Sequence, residues 1–182
     1  MIISIEPLLA EHEVLLKLSQ NDSNWIIEER ILAGPTNGTG RINRSENSFS
    51  SSILPILPLH LKSAPKSQYV SQEIVPMRTL DSIWKQRCSR FTKVGLKIDV
   101  QGYEQSVLEG AQLLLQNCAF IQIEMSVLPL YENQSLYFET DTFLRSLDYV
   151  LWKIKPGFED SSSGQILQMD AIYLRDSHLE KR

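Results

Sequence analysis

Apolar residues run almost unbroken from Val94 to Val100, interrupted only by Lys97 and Asp99. Such a run suits a short strand buried on both faces of a parallel sheet. Gln101 and Gly102 end it. Val107, Leu108, Ala111, Leu114 and Leu115 then recur at helical spacing. Glu104 lies in the first turn, where the helix dipole favours negative charge, and Asn117 is a candidate left-handed cap at the far end. A second apolar run, Ala119 to Ile123, ends at Glu124. Strand, helix and strand within about 30 residues make one right-handed crossover unit. It sets Asp99 and Glu124 at the carboxyl ends of neighbouring parallel strands, outside which open α/β sheets bind their ligands.

The flanking pattern extends this unit. Ile2 to Ile5 predicts a short strand ending at Glu6-Pro7, followed by a helix from Leu8 to Ser19 with Leu8, Leu15 and Leu18 inward. After a turn cluster at Asn21–Asn24, Trp25 to Ala33 predicts one strand ending at Gly34-Pro35. From Pro35 to Ser67 the pattern dissolves. Gly, Asn and Ser dominate, and Pro55 and Pro58 argue against a regular helix or central strand. Residues 35–67 are therefore expected to be a long loop or lid inside a single domain spanning 1–182, or else a disordered insertion. His60 in this loop is a candidate proton acceptor, although a lone loop histidine is as readily a plain surface residue. Tyr69 to Val75 predicts a strand, and Thr79 to Arg87 a helix capped by Thr79 with Leu80, Ile83 and Trp84 inward.

Beyond Glu124, an irregular stretch broken by Pro129 should overhang the strand ends, with Tyr131 and Glu132 as its polar contributors. Thr140 to Leu147 predicts a helix. Tyr149–Lys155 and Ile166–Arg175 predict two strands whose connection is too short for a helical crossover, so they pair antiparallel. The expected fold is α/β: a mostly parallel sheet with helices on both faces and an antiparallel C-terminal hairpin. Asp170 among apolar neighbours and Lys97 inside the central strand each need a partner if buried. Lys97 is expected to meet Asp170 or Glu124.

Composition narrows the function. With 182 residues, 42% hydrophobic and 22% charged, the chain is long enough for a real core. A net charge of -4 gives no support for a general nucleic-acid binder. No apolar run approaches the roughly 20 residues of a membrane span. The N-terminal apolar run breaks at Glu6 and lacks a basic flank, unlike a signal peptide. Cys88 and Cys118 have no metal-ligand spacing, and no metal site is expected; they fit reduced thiols of a cytoplasmic protein.

The segment LKIDVQGYEQSVLEGA resembles the signature of the FkbM-type methyltransferases, K-I-D-x-E-G or K-I-D-x-Q-G followed by an acidic residue. IISIEPL, NSFSSSILP, EMSVLPLYENQ and PGFEDSSSGQILQMDAIYLR resemble further segments of one branch, in the same order. The resemblance implies a Rossmann-like class I methyltransferase sheet, S-adenosylmethionine as donor, and O-methylation of a sugar or polyketide hydroxyl, hence a small-molecule or glycan acceptor. It places Glu6 on the cofactor ribose, where a carboxylate accepts from two hydroxyl donors. It places Leu32 and Ala33 near the adenine and Asp99 beside the transferred methyl, as acceptor or base. Asn47 and Ser50–Ser52, Ser51 among them, fall in the family's Asn- and Ser-rich segment, a substrate loop. Glu124 and Tyr131 complete the expected acceptor side.

The resemblance also implies an opening strand, a turn of the D-x-G-A-x-x-G kind and a helix. Here Met1 opens on what matches the second strand, and no glycine precedes Gly34. The cluster from Gly34 to Gly40 follows a different strand and suits a turn. The chain is therefore expected to lack the first βα unit, through a misassigned start, a split gene or a true truncation. The strands flanking that unit would then present apolar edges or pair directly. A catalytically silent remnant, serving as an interaction module, is the alternative reading.

Overall fold

Val94–Ile98 (β6) and Cys118–Ser126 (β7) pair in parallel, as their apolar runs predict. The structure, a computed structural model, describes residues 1–88, 91 and 93–176. The thiol of Cys88 and the charged tail from Ser177 lie outside the described residues. Between β6 and β7 the expected single helix is two, Glu104–Glu109 (α4) and Gln112–Leu115 (α5). Two contacts account for the break. A Cβ at Gly110 would collide with the Gly34 carbonyl oxygen, so the backbone of another segment packs directly on the helix there. The Asp81 carboxylate then accepts from the Leu113 and Leu114 amides at 2.9 Å, giving α5 its own cap. Asn117 is no left-handed cap; its side-chain amide instead donates to the Leu113 carbonyl. Val107, Leu108, Ala111, Leu114 and Leu115 are all buried in one core with Ile98, Ile121 and Ile123.

On the other edge of β7, Gln168–Arg175 (β9) pairs antiparallel, and Tyr149–Pro156 (β8) pairs antiparallel with β9. The sheet order is β6-β7-β9-β8, so the C-terminal hairpin is as expected. The helix Tyr137–Ser146 (α6) buries Leu144 in the same core.

The N-terminal half corrects several expectations. Where one mostly parallel sheet was expected, the described residues form three sheets. Ile2–Ser4 (β1) pairs in parallel with Trp25–Ile27 (β2), and the helix Leu9–Ser19 (α1) lies between them in the chain. Leu8 is buried but Leu18 is 62% exposed; His12 is the residue α1 itself buries. The strand expected from Trp25 to Ala33 divides, and Leu32–Ala33 (β3) joins a different sheet. The reason is Glu28. It is buried between the two pieces and bridged by Arg87 at 3.1 Å and Arg78 at 3.9 Å, and the Arg87 guanidinium holds its carboxyl below the usual range.

Residues 35–67 are not one loop. Gly38–Ser45 (β4) pairs antiparallel with Tyr69–Arg78 (β5), which also pairs in parallel with β3. Pro58 opens the helix Pro58–Ser63 (α2). At the first helical position its missing N–H would have had no partner anyway, so the proline starts the helix it was expected to prevent. Thr79 caps Leu80–Ile83 (α3) by accepting from the Ser82 amide, as predicted.

Among the described residues no ladder joins β1 to β6. Both edges border one cavity instead. This placement also overturns the expected Lys97 pairing. Lys97 lies on an open edge, its side chain 57% exposed, and its ammonium meets Asp99 at 2.9 Å. Asp170 is half-buried and sits opposite Glu124 and Lys155 in the ladders. No described helix is long and apolar enough to cross a membrane.

Candidate functional site

The cavity between β1 and β6 has a volume of about 940 Å³. Four strand ends reach it. Glu6 follows β1, Leu32 and Ala33 form β3, Asp99 follows β6, and Glu124 lies near the end of β7. Ser48, Phe49 and Ser51 border it from the segment after β4. The structure thus gathers Glu6, Leu32, Ala33, Asp99, Glu124 and Ser51 at one place.

Each carboxylate has its own setting. Glu6 accepts from the Leu8 amide through Oε1 at 2.8 Å, and burial raises its pKa. Asp99 accepts from Lys97 Nζ through Oδ2 and from Gln101 Nε2 through Oδ1, at 2.9 and 3.1 Å. Glu124 accepts through Oε2 from Gln101 and from Gln168, both at 2.7 Å. Burial pushes its pKa up to about 8, with Asp99, Glu104 and Asp170 adding repulsion. Glu104, buried beneath the turn, accepts from the Val100 and Gly102 amides and is pushed up to about 7, chiefly by burial. Among the described residues Lys97 is the only side-chain cation on this cavity.

Asn47 and Tyr131 do not line the cavity; they stand one layer behind it. Asn47 accepts from the Ser45 hydroxyl and the Ser50 amide, and donates to the Ser50 and Ser67 hydroxyls at 3.2 and 3.3 Å. Ser50 and Ser67 join at 2.8 Å. This network fixes the segment that carries Ser51 and Phe49. Tyr131 is fully buried and donates its hydroxyl toward Gln101 Oε1 at 2.9 Å and the Ser50 carbonyl at 3.2 Å.

His60 stands apart. It is 2% exposed and packs between the rings of Tyr131 and Phe158, 5.1 and 5.2 Å between centroids. Its Nδ1 has no hydrogen-bond partner among the described residues, and burial lowers its pKa to about 4. A neutral ring in an aromatic pocket is a packing group, and nothing brings it to the carboxylates.

Sequence reasoning missed Gln101 and Phe49. In the sequence Gln101 reads only as the strand's end, yet its side chain touches both Asp99 and Glu124. Phe49 is 84% exposed and still borders the cavity; a single aromatic in a serine-rich stretch carries no periodic signal. Among the described residues no group of three or more His, Cys, Asp or Glu side chains is placed to hold a metal ion.

A model of the family described as Methyltransferase FkbM domain matches residues 1–151. No curated protein and no solved structure matches the chain.

Proposed function

The chain belongs to the FkbM methyltransferase family, and from that premise we propose that the cavity between β1 and β6 performs O-methyl transfer from S-adenosylmethionine to a hydroxyl of a small-molecule or glycan acceptor. The observation that supports this most is convergence: Glu6, Leu32–Ala33, Asp99 and Glu124 come from four strand ends and border one cavity. The order β6-β7-β9-β8 with its antiparallel final hairpin is in keeping with a Rossmann-like class I sheet.

The residues present suit the nucleoside half of the donor. Glu6 Oε2 is not taken by the Leu8 amide and can accept from a ribose hydroxyl. Leu32 and Ala33 offer an apolar wall to adenine. The methionine half is less well served, since Lys97 is already engaged by Asp99. When bound, the donor supplies a methyl group on a cationic sulfonium, open to direct displacement. The chain's part is to hold the acceptor oxygen in line and to exclude water. Asp99 provides an acceptor for the attacking hydroxyl's hydrogen, and Glu124, held protonated at neutral pH by burial, accepts there once ionised. Ser51 and Phe49 border the acceptor side.

Titration calorimetry with S-adenosylmethionine and S-adenosylhomocysteine on the 182-residue chain tests the reading. Lys97, the side-chain cation on the cavity among the described residues, is spent on Asp99, and one forgone hydrogen bond to the donor's charged carboxylate corresponds to about 1.5–3 kcal/mol, a loss of roughly ten- to a hundredfold in affinity. Weak binding that disappears in Glu6→Ala is expected. No heat at millimolar ligand overturns the assignment; a micromolar dissociation constant overturns the argument about the methionine end.

A further inference from the structure

The Gln101 side chain donates to both Asp99 and Glu124, and its backbone carbonyl meets the serine segment opposite them. Its backbone has φ 54°, and Gly102 after it has φ 92°. Two successive left-handed residues form a tight turn that returns the glutamine side chain over the ends of β6 and β7. Left-handed backbone is unfavourable for a non-glycine residue and persists where surrounding contacts over-determine it. Here the contacts are explicit. The Ser52 hydroxyl donates to the Gln101 carbonyl at 2.6 Å. Gly102 leaves room for Tyr131, since a Cβ there would approach the tyrosine ring to 2.8 Å.

The orientation of the amide follows from its neighbours. The Nε2 group faces Asp99 Oδ1 and Glu124 Oε2, at 3.1 and 2.7 Å, and donates to both. The Oε1 atom then faces the Tyr131 hydroxyl at 2.9 Å, which can donate to it. Both Nε2 hydrogens are spent on Asp99 and Glu124. Glu124 Oε2 also accepts from Gln168, so Oε1 is the glutamate oxygen left for a ligand hydroxyl.

We propose that Gln101 is a positioning residue: its amide fixes Asp99 and Glu124 relative to each other and, through Tyr131 and Ser52, locks both to the serine segment bordering the acceptor side. The arrangement of the carboxylates is then coupled to the placement of Ser51 and Phe49. The catalytic consequence rests on the methyltransferase reading; the structural assignment does not. The groups that face Glu124 are the carboxylates of Asp99, Glu104 and Asp170, the Tyr131 hydroxyl and the amides of Gln101 and Gln168, with Lys97 held on the far oxygen of Asp99.

The test is the pH titration of Glu124, followed by carboxyl ¹³C shifts in glutamate-labelled protein and assigned with Glu124→Gln. Gln101→Met keeps the length of the side chain and removes the donor. It is expected to raise the Glu124 midpoint by about one pH unit, a tenfold change in proton affinity. Tyr131→Phe frees the amide to rotate and is expected to shift the midpoint the same way by less; it also serves if Gln101→Met does not fold. A residue that only closes a turn would lower the melting temperature and leave the midpoint in place, and that result overturns the proposal. Because the titration needs no ligand, a shifted midpoint in a chain that binds no S-adenosylmethionine overturns the methyltransferase reading and leaves Gln101 standing.

Discussion

The crossover from Val94 to Ser126 and the segment from Pro35 to Ser67 border the same cavity, but different forces hold them there. The crossover is placed by apolar burial: Leu108, Ile121, Ile123 and Cys118 are wholly inaccessible. The cavity end of the segment is placed by polar contacts among Ser45, Asn47, Ser50, Ser51 and Ser67. Apolar burial is additive and tolerant of detail, whereas a buried polar network is stable only while every member is satisfied. A reacting surface built from both has a rigid floor and a wall whose position depends on a few hydrogen bonds.

Truncating the floor should have the largest effect. Leu108→Ala is expected to lower the unfolding free energy by about 2–5 kcal/mol, read from denaturant midpoints. Phe49→Ala in the opposite wall should change it by less than about 0.5 kcal/mol, since an exposed side chain away from special features contributes little. Equal losses in the two variants would mean that the wall is packed and the contrast is false.

Acid and alkali should separate the two regions next. His60, under the wall, has its pKa lowered from 6.5 to about 4 by burial. Its neutral form is favoured on folding, so its contribution is complete above pH 6.5 and is lost as pH falls toward 4. Glu104 and Glu124, in the floor, are raised from 4.5 to about 7 and about 8. Their contribution is complete below pH 4.5 and is lost as pH rises toward 8. His60→Phe should therefore flatten the acid side of the stability profile, by an amount on the order of 1–3 kcal/mol between pH 6.5 and 4. Glu124→Gln should flatten the opposite slope between pH 4.5 and 8. Urea melts across this range check both; parallel profiles for the two variants would refute the opposed signs.

The polar wall itself is probed by Asn47→Ala. Its side chain serves Ser45, Ser50 and Ser67 at once, and removal leaves buried hydroxyls unpaired. A loss of about 1–3 kcal/mol is expected, with faster amide exchange at Ser50. Unchanged exchange there would show that the remaining serines suffice.

The same contrast explains how much was legible in the sequence. Burial writes itself as periodicity, so β6, β7, the C-terminal hairpin and the core of α4 and α5 could be found from Val, Ile and Leu spacing. A hydroxyl network has no period. Asn47 and Ser50 to Ser52 looked like loop composition, and the pairing of β4 with β5 was hidden because Gly38–Ser45 contains one buried apolar residue, Ile42. Glu6, Asp99 and Glu124 could be chosen because they sit at strand ends. Gln101 could not, because its role depends on two positive φ angles and on Tyr131, 30 residues away. His60 failed for the converse reason: its type suggested chemistry, and only its aromatic surroundings identify a packing role.

The smallest expected effect tests the point where sequence logic erred within the crossover itself. A lysine in an apolar strand was expected to be buried, and orphaning a buried charge costs about 3–5 kcal/mol. The premise fails because β6 is an edge: among the described residues no ladder covers its free side, so Lys97 reaches solvent with 57% of its side chain exposed and meets an Asp99 that is 40% exposed. An exposed ion pair contributes roughly 0–1 kcal/mol. Lys97→Met should therefore shift the urea midpoint little at low salt, and the shift should shrink further in high salt, where surface charges are screened. A loss of several kcal/mol, insensitive to salt, would mean that Lys97 is enclosed in solution. The free edge of β6 would then have to be covered, and the open cavity between β1 and β6 would not be the form the molecule takes.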